Sequence, residues 1–155
     1  MMTKLKKIGD DVLRLVAEEI TDIDDSISDL YNEMVENMHK YGGIGLAAPQ
    51  IGVSKRIIIY EDEGIIREMI NPRITWKSVN NCKFDEGCLS VPDEHGEVIR
   101  PIEIKVKFQL LSGKYKHWKL NALPARVVQH EIDHLNGILF VDYLKDHERK
   151  LKVSP

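Results

Sequence analysis

Cysteine is scarce: Cys82 and Cys88 are the only two in 155 residues, too few for a disulfide scaffold. A reducing compartment disfavours pairing them, and the default reading of each is a small buried hydrophobe, which Cys82 keeps. Long apolar runs are missing as well. No window approaches the ~18 apolar residues of a membrane span, and the lysines of Met1 to Lys7 have no apolar stretch behind them, so neither a membrane segment nor a signal peptide is expected. Neither charge sign dominates: 22 Lys and Arg face 25 Asp and Glu, interspersed, for a net charge of −3. That argues against a dedicated nucleic-acid or membrane-surface binder, which would show a basic patch. No repeat, low-complexity tract or Pro/Gly/Ser-rich linker divides the chain. The expectation is a single domain over residues 1–155, cytoplasmic, with residues 145–155 as a short polar tail.

What is present reads as alternating helix and strand signals. From Asp25 to Tyr41, apolar residues fall at Ile27, Leu30, Tyr31, Met34, Met38 and Tyr41, spacings of three and four that predict an amphipathic helix. Asp24 or Asp25 can cap its start and Gly42 can end it in a left-handed turn; one helical turn is expected earlier, at residues 11–14. The glycine-rich run 42–52 reads as a connection whose backbone can approach a ligand closely. Strands are predicted at 56–60, 65–70 and 74–79, the last two separated by Asn71-Pro72. Residues 84–92 should be extended, with the Cys88 sulfur reachable after Gly87; 93–96 reads as a polar loop and 97–100 as the start of another strand. Ile102, Ile104, Val106, Phe108 and Leu110 alternate with polar residues, predicting a half-buried antiparallel strand that Ser112-Gly113 turns into a hairpin with 114–120. A final helix should start at a capping Asn121, carry Pro124 in its first turn and stop at Gly137. The fold class is α+β: a strand-rich body of mainly antiparallel sheets packed around a central metal-bearing helix.

That helix carries His130-Glu131-Ile132-Asp133-His134, the pattern H-E-x-x-H. Residues four apart share a helical face, so His130 and His134 can address one metal ion, while Glu131 is rotated by about 100° and can act as a base without being a ligand. Two histidines leave a site incomplete. Downstream the candidates are Asp142, Asp146, His147 and Glu148, none in an extended metalloprotease pattern. Cys88 upstream is a better third ligand, because a thiolate binds divalent transition metals strongly and three protein ligands keep a position open. His39, His117 and His147 read as surface or hydrogen-bonded residues. Gln50, beside the glycine-rich run, has an amide able to donate to a developing oxyanion.

Three stretches, Gly43-Ile44-Gly45-Leu46-Ala47-Ala48-Pro49-Gln50, Glu86-Gly87-Cys88-Leu89-Ser90 and Gln129-His130-Glu131-Ile132-Asp133-His134, together resemble the signature motifs of peptide deformylases, in that family's order. The similarity extends from about Ile8 to Leu144. The resemblance implies removal of the formyl group from the N-terminal formylmethionine of newly made polypeptides. It implies metal ligation by Cys88, His130 and His134, Glu131 as general base and acid, and an oxyanion held by Gln50 and the backbone N–H of Leu89. It also implies a substrate pocket of Ile44, Gly45, Phe84, Gly87, Leu123 and Val127, and an ion pair between Glu86 and Arg100 bracing the cysteine loop. The expected metal is Fe²⁺, with Zn²⁺ or Ni²⁺ in preparations. Expected partners are N-formylmethionyl peptides and nascent chains, with transient ribosome contact, and neither a membrane nor a nucleic-acid substrate. The chain departs from the family at Gly9 and Asp10, at His95, and at Ala122 and Pro124, where a glycine and an aliphatic residue are common. Two other readings stand beside this one: a metallopeptidase built on the same helix, and an inactive domain that binds metal or formylated peptide.

Overall fold

A computed structural model describes residues 4–144 and the backbone of 150–151. Its elements in chain order are α1 (Asp25–Tyr41), β1 (Gly45–Ala47), β2 (Ile57–Asp62), β3 (Ile65–Lys77), β4 (Asn81–Cys88), β5 (Val91–Pro101), β6 (Glu103–Gln109), β7 (Tyr115–Asn121), α2 (Ala122–Leu135) and β8 (Lys150–Leu151), with single 3-10 turns at Asp11–Arg14, Ala48–Ile51 and Phe140–Tyr143. The ends of α1 follow from its sequence. Asp24 accepts the N–H of Ser26 at 3.0 Å, and Gly42 leaves the helix at φ 69.

Two antiparallel sheets form the body. The larger has the order β1-β2-β3-β6-β7, and the smaller is the β4-β5 hairpin with β8 on its outer edge. The alternation predicted for β6 sends Ile104, Val106 and Phe108 inward, where they meet Ala125, Val128, Ile132 and Leu135 of α2. Ile27, Leu30, Met34 and Met38 of α1 pack with Leu46, Ile57, Ile59 and Ile70 on the other side of the large sheet. Each such fully buried aliphatic side chain is worth about 1.5–3 kcal/mol over exposure. A third cluster, Cys88, Val91 and Val98 with Leu139, Phe140 and Val141, docks the hairpin onto the segment after α2. Buried on its sheet side, α2 is the central helix expected. Among the described residues no helix is long and apolar enough to cross a membrane.

Several local expectations need correction. The two strands predicted either side of Asn71-Pro72 are one, β3, with an irregular register between Ile70 and Arg73. Asn71 tolerates φ 51 and uses its side chain in place of the ladder, exchanging bonds of 2.9 and 2.8 Å with the backbone of Ile20. Part of the glycine-rich connection is strand β1, paired with β2 from Gly45 opposite Tyr60. The polar run 93–96 belongs to β5 and is no loop, and Glu94 and His95 pair with Leu151 and Lys150 of the presumed tail. Edge pairing is a backbone interaction and leaves no hydrophobic signature. The other tail residues, His147 included, lie outside the described residues. Cys82 is exposed, not a buried hydrophobe, because β4 faces solvent from Asn81 to Asp85. Asn121 precedes α2 but its side chain makes no capping bond; it ends β7 opposite Glu103.

Candidate metal centre and catalytic cleft

The centre is assembled from one helix and one strand end. His130 and His134 lie one turn apart on α2, and Cys88 closes β4. Their ligand atoms all lie within 4.8 Å of one another, the one such cluster found among the described residues. Cys88 Sγ stands 3.3 Å from Nε2 of His134. Cys88 is 8% exposed, so the sulfur is more enclosed than the sequence suggested, although it still lines the cleft.

Electrostatics in the cluster favour a cation. Burial and the neighbouring His130 hold the His134 pKa well below its usual value, keeping that imidazole neutral, the form that ligates. Burial also works against charge on His130, but Cys88 and Glu86 overcome it and pull its pKa well up. Glu86 takes Nδ1 of His130 at 3.0 Å, which leaves Nε2 as the free donor atom. Nδ1 of His134 is buried without a protein partner. A thiolate and two imidazoles suit Fe²⁺, Zn²⁺ or Ni²⁺, and the residues present therefore fit a metal with an open position.

Glu131 follows His130 on the helix and is 5% exposed. Burial raises its pKa to about 7, against the pull of His130. Its Oε1 has no protein partner, and a Cβ at Gly45 would come within 2.6 Å of its Oε2. The glycine in β1 thus makes room for the carboxylate.

A cleft of about 340 Å³ opens over these groups. Its walls include Ile44, Gly45, Phe84, Gly87, Leu123 and Val127, all six residues named from sequence for the pocket, together with Gln50, Glu86, Cys88, Leu89, His130 and Glu131. Ile44, Phe84 and Leu123 are about half exposed, at 48, 54 and 53%, which an apolar rim awaiting a ligand would show. Gln50 is fixed at both ends of its amide: Oε1 accepts from Ala47 N–H at 2.9 Å, and Nε2 donates to Ser90 Oγ at 3.1 Å, 3.7 Å from Cys88 Sγ. His134 and Arg100 do not line the cleft and stand behind it. His95 pairs with Asp85 at 2.9 Å and is also absent from the walls.

Glu86 binds Arg100 through both oxygens, at 2.6 and 2.9 Å, as the expected ion pair requires. Two partners of this network were not foreseen. Arg126 bonds Glu86, the carbonyls of Cys82 and Val98 at 2.6 and 3.1 Å, and covers the Phe84 ring at 5.5 Å. Asp133 accepts from Arg100 at 2.9 Å and from the Tyr143 hydroxyl at 2.8 Å. Arg126 was visible in principle, since it precedes His130 by four residues and so shares the metal face.

With this geometry in place, the sequence model of the polypeptide deformylase family matches residues 2–150. The chain belongs to the polypeptide deformylase family. A peptide deformylase of Picosynechococcus is 45% identical over 148 residues, spanning 92% of this chain and 79% of that one. The crystal structure of a probable peptide deformylase from Synechococcus phage S-SSM7 superposes with a TM-score of 0.87 at 56% identity, covering 92% of this chain and 99% of the other. The Met-Ala-Ser-bound class I type b peptide deformylase of Acinetobacter baumannii gives 0.90 at 38% identity, over 93% and 99% of the two chains. As a deformylase the chain is a metal-dependent hydrolase that removes the formyl group from N-terminal formylmethionine. The peptidase reading falls with this assignment; of its downstream candidate ligands, Asp142 pairs with Arg14 at 2.6 Å, and Asp146, His147 and Glu148 lie outside the described residues.

Proposed function

We propose that Cys88, His130 and His134 hold a single Fe²⁺, that Glu131 moves the protons of the reaction, and that Gln50 and the Leu89 N–H hold the carbonyl oxygen of the formyl group as it becomes an oxyanion. The observation that carries this reading is a buried carboxylate with a raised pKa and a free oxygen, one residue along the helix from a Cys-His-His cluster. A purely structural metal site has no use for such a base, which weighs against the inactive-domain reading.

When bound, the metal lowers the pKa of water toward ~7 and polarises the formyl oxygen. Glu131 accepts the proton of the attacking water on a carboxylate oxygen, which its pKa near 7 allows at neutral pH. It then delivers that proton to the methionine nitrogen as the C–N bond breaks, leaving formate and a free amino terminus. Gln50, whose amide is oriented by Ala47, Ser90 and Cys88, and Leu89 both line the cleft, which supports their role as oxyanion donors; one such donor is typically worth ~10²–10³ in rate. Ile44, Phe84, Leu123 and Val127 give the unbranched methionine side chain an apolar slot, and Gly45 and Gly87 let the substrate backbone approach. Glu86 and Arg100 brace the cysteine strand and His130 from behind. The substrates are N-formylmethionyl peptides and nascent chains, met in the cytoplasm with transient ribosome contact.

The test is anaerobic incubation with formyl-Met-Ala-Ser after loading with Fe²⁺, Zn²⁺ or Ni²⁺. Formate release with intact peptide bonds, fastest with Fe²⁺, is expected. Glu131→Gln should keep its metal and lose turnover. Internal cleavage, binding without product, or near-normal turnover by that variant would each remove a part of the assignment.

A further inference from the structure

Strand alternation collects on one surface the cations that the sequence scatters. Lys105 and Lys107 of β6 point away from the buried Ile104, Val106 and Phe108, and their register partners are Lys119 and His117 of β7 and Trp76 and Arg73 of β3. Arg73 and the three lysines are exposed, and Trp76 is 41% and Tyr115 69% exposed. The large sheet meets α2 on its opposite face, whereas α1 packs against β1, β2 and the Ile66 and Ile70 end of β3. Cation and ring alternate across this surface. The ammonium groups of Lys105 and Lys119 lie 5.5 and 5.7 Å from the Trp76 ring centre, and that of Lys107 lies 6.0 Å from Tyr115. Acids at its border are engaged: Glu103 by Lys119 at 3.2 Å, and Glu68 by the backbone N–H of Leu111 at 3.0 Å. The whole chain carries −3, so these cations are gathered on one face of a molecule that is acidic overall.

We propose that this face docks single-stranded RNA, with phosphates on Arg73, Lys105 and Lys107 and a base stacked on Trp76. Charge complementarity calls for a polyanion, and cations alone would serve an acidic peptide equally well. Aromatic rings set between cations on an open sheet add a stacking platform beside phosphate contacts, which a single-stranded nucleic acid uses and an acidic peptide does not need. The choice of RNA over DNA rests on the deformylase reading, because newly made polypeptides arise beside RNA. None of these residues lines the catalytic cleft.

The experiment is fluorescence anisotropy of a labelled mixed-sequence RNA of about 20 nucleotides, with deformylation of formyl-Met-Ala-Ser measured on the same protein to separate docking from catalysis. Three phosphate contacts predict affinity falling roughly 20-fold from about 50 to about 200 mM salt. Lys105→Gln with Lys107→Gln should reduce the log–log salt slope by about 1.4. Trp76→Ala should weaken binding about five- to 150-fold, and Trp76→Phe, which keeps a ring and the fold, should restore most of it. Deformylation should be unchanged in every variant. Absence of RNA binding at low salt, a double lysine variant that binds like the parent, or a Trp76→Phe variant no better than Trp76→Ala overturns the proposal. So does equal or tighter binding of polyglutamate, anionic vesicles or the matching DNA.

Discussion

Glu86 accepts a hydrogen bond from Nδ1 of His130 at 3.0 Å with the same carboxylate that grips Arg100 and Arg126. Burial alone would raise its pKa, but the bonds from His130 and Arg100 prevail and hold it at about 2. An always-ionised acceptor fixes one tautomer of His130 and aims Nε2 at the metal position. Glu86→Gln is therefore expected to weaken metal binding ~10- to 100-fold, read by competition with a chelator. Two arginines would lose a buried counter-charge, a change of the kind that costs ~3–5 kcal/mol, so urea unfolding is measured in parallel. Unaltered metal affinity in a folded variant would show that Glu86 braces the loop without tuning the ligand.

Gly45 and Glu131 compete for the same space. A Cβ at Gly45 would stand 2.6 Å from Glu131 Oε2 and 2.8 Å from Val127 Cγ1, closer than side chains tolerate. In Gly45→Ala the carboxylate must swing away. A displacement of about 1 Å at a reacting group costs on the order of a hundredfold in rate. The expected result is a kcat loss of that size with metal content unchanged. Full activity would mean that Glu131 needs no fixed place.

How far the sequence went depends on what each residue had to signal. His130, Glu131 and His134 were legible because a helix converts spacing into a face, and β6 was legible because a strand converts alternation into burial. Cys88 was reached by thiolate chemistry, because two histidines leave a site incomplete and no downstream candidate stands in a metalloprotease pattern. Arg126 and Asp133 stayed hidden because their partners, Glu86 and the carbonyls of Cys82 and Val98 for one, Arg100 and Tyr143 for the other, come from distant stretches of chain. The edge strand β8 was missed for a related reason: pairing Lys150 with His95 is backbone chemistry and needs no pattern. The cationic face was hidden by the same alternation that revealed β6, because interspersed lysines look neutral until every second residue is placed on one side.

Ala122 takes φ 55 where β7 turns directly into α2. A residue with a Cβ is strained in the left-handed region by roughly 1–2 kcal/mol. Glycine relieves that strain and returns about 0.5–1 kcal/mol through the entropy of the unfolded chain. Ala122→Gly should thus stabilise the fold by up to about 1 kcal/mol by urea unfolding, with deformylation unchanged. Ala122→Val should move stability the other way. If glycine proves destabilising, the turn between β7 and α2 is not a point of strain.

Tyr60 sits 1% exposed in the core beneath α2, and its hydroxyl has no protein partner. Burial pushes its pKa from 10 to about 12, partly offset by Arg67. The sign follows from which state ionises first. Below pH 10 the phenol is neutral in both states, and its contribution to stability is complete. Between pH 10 and 12 the unfolded chain ionises while the folded phenol resists, so stability is lost across that window, by at most about 2–3 kcal/mol. Tyr143 is likewise pushed up to about 12 by burial and its bond to Asp133, which makes the informative quantity the difference between parent and Tyr60→Phe. That difference should be constant up to about pH 10 and then grow in favour of the phenylalanine variant, by roughly 2 kcal/mol near pH 12. Unfolding curves that stay parallel across the window would mean that the phenol reaches water in the folded protein, against its burial in the core cluster that holds Ile58 and Met69.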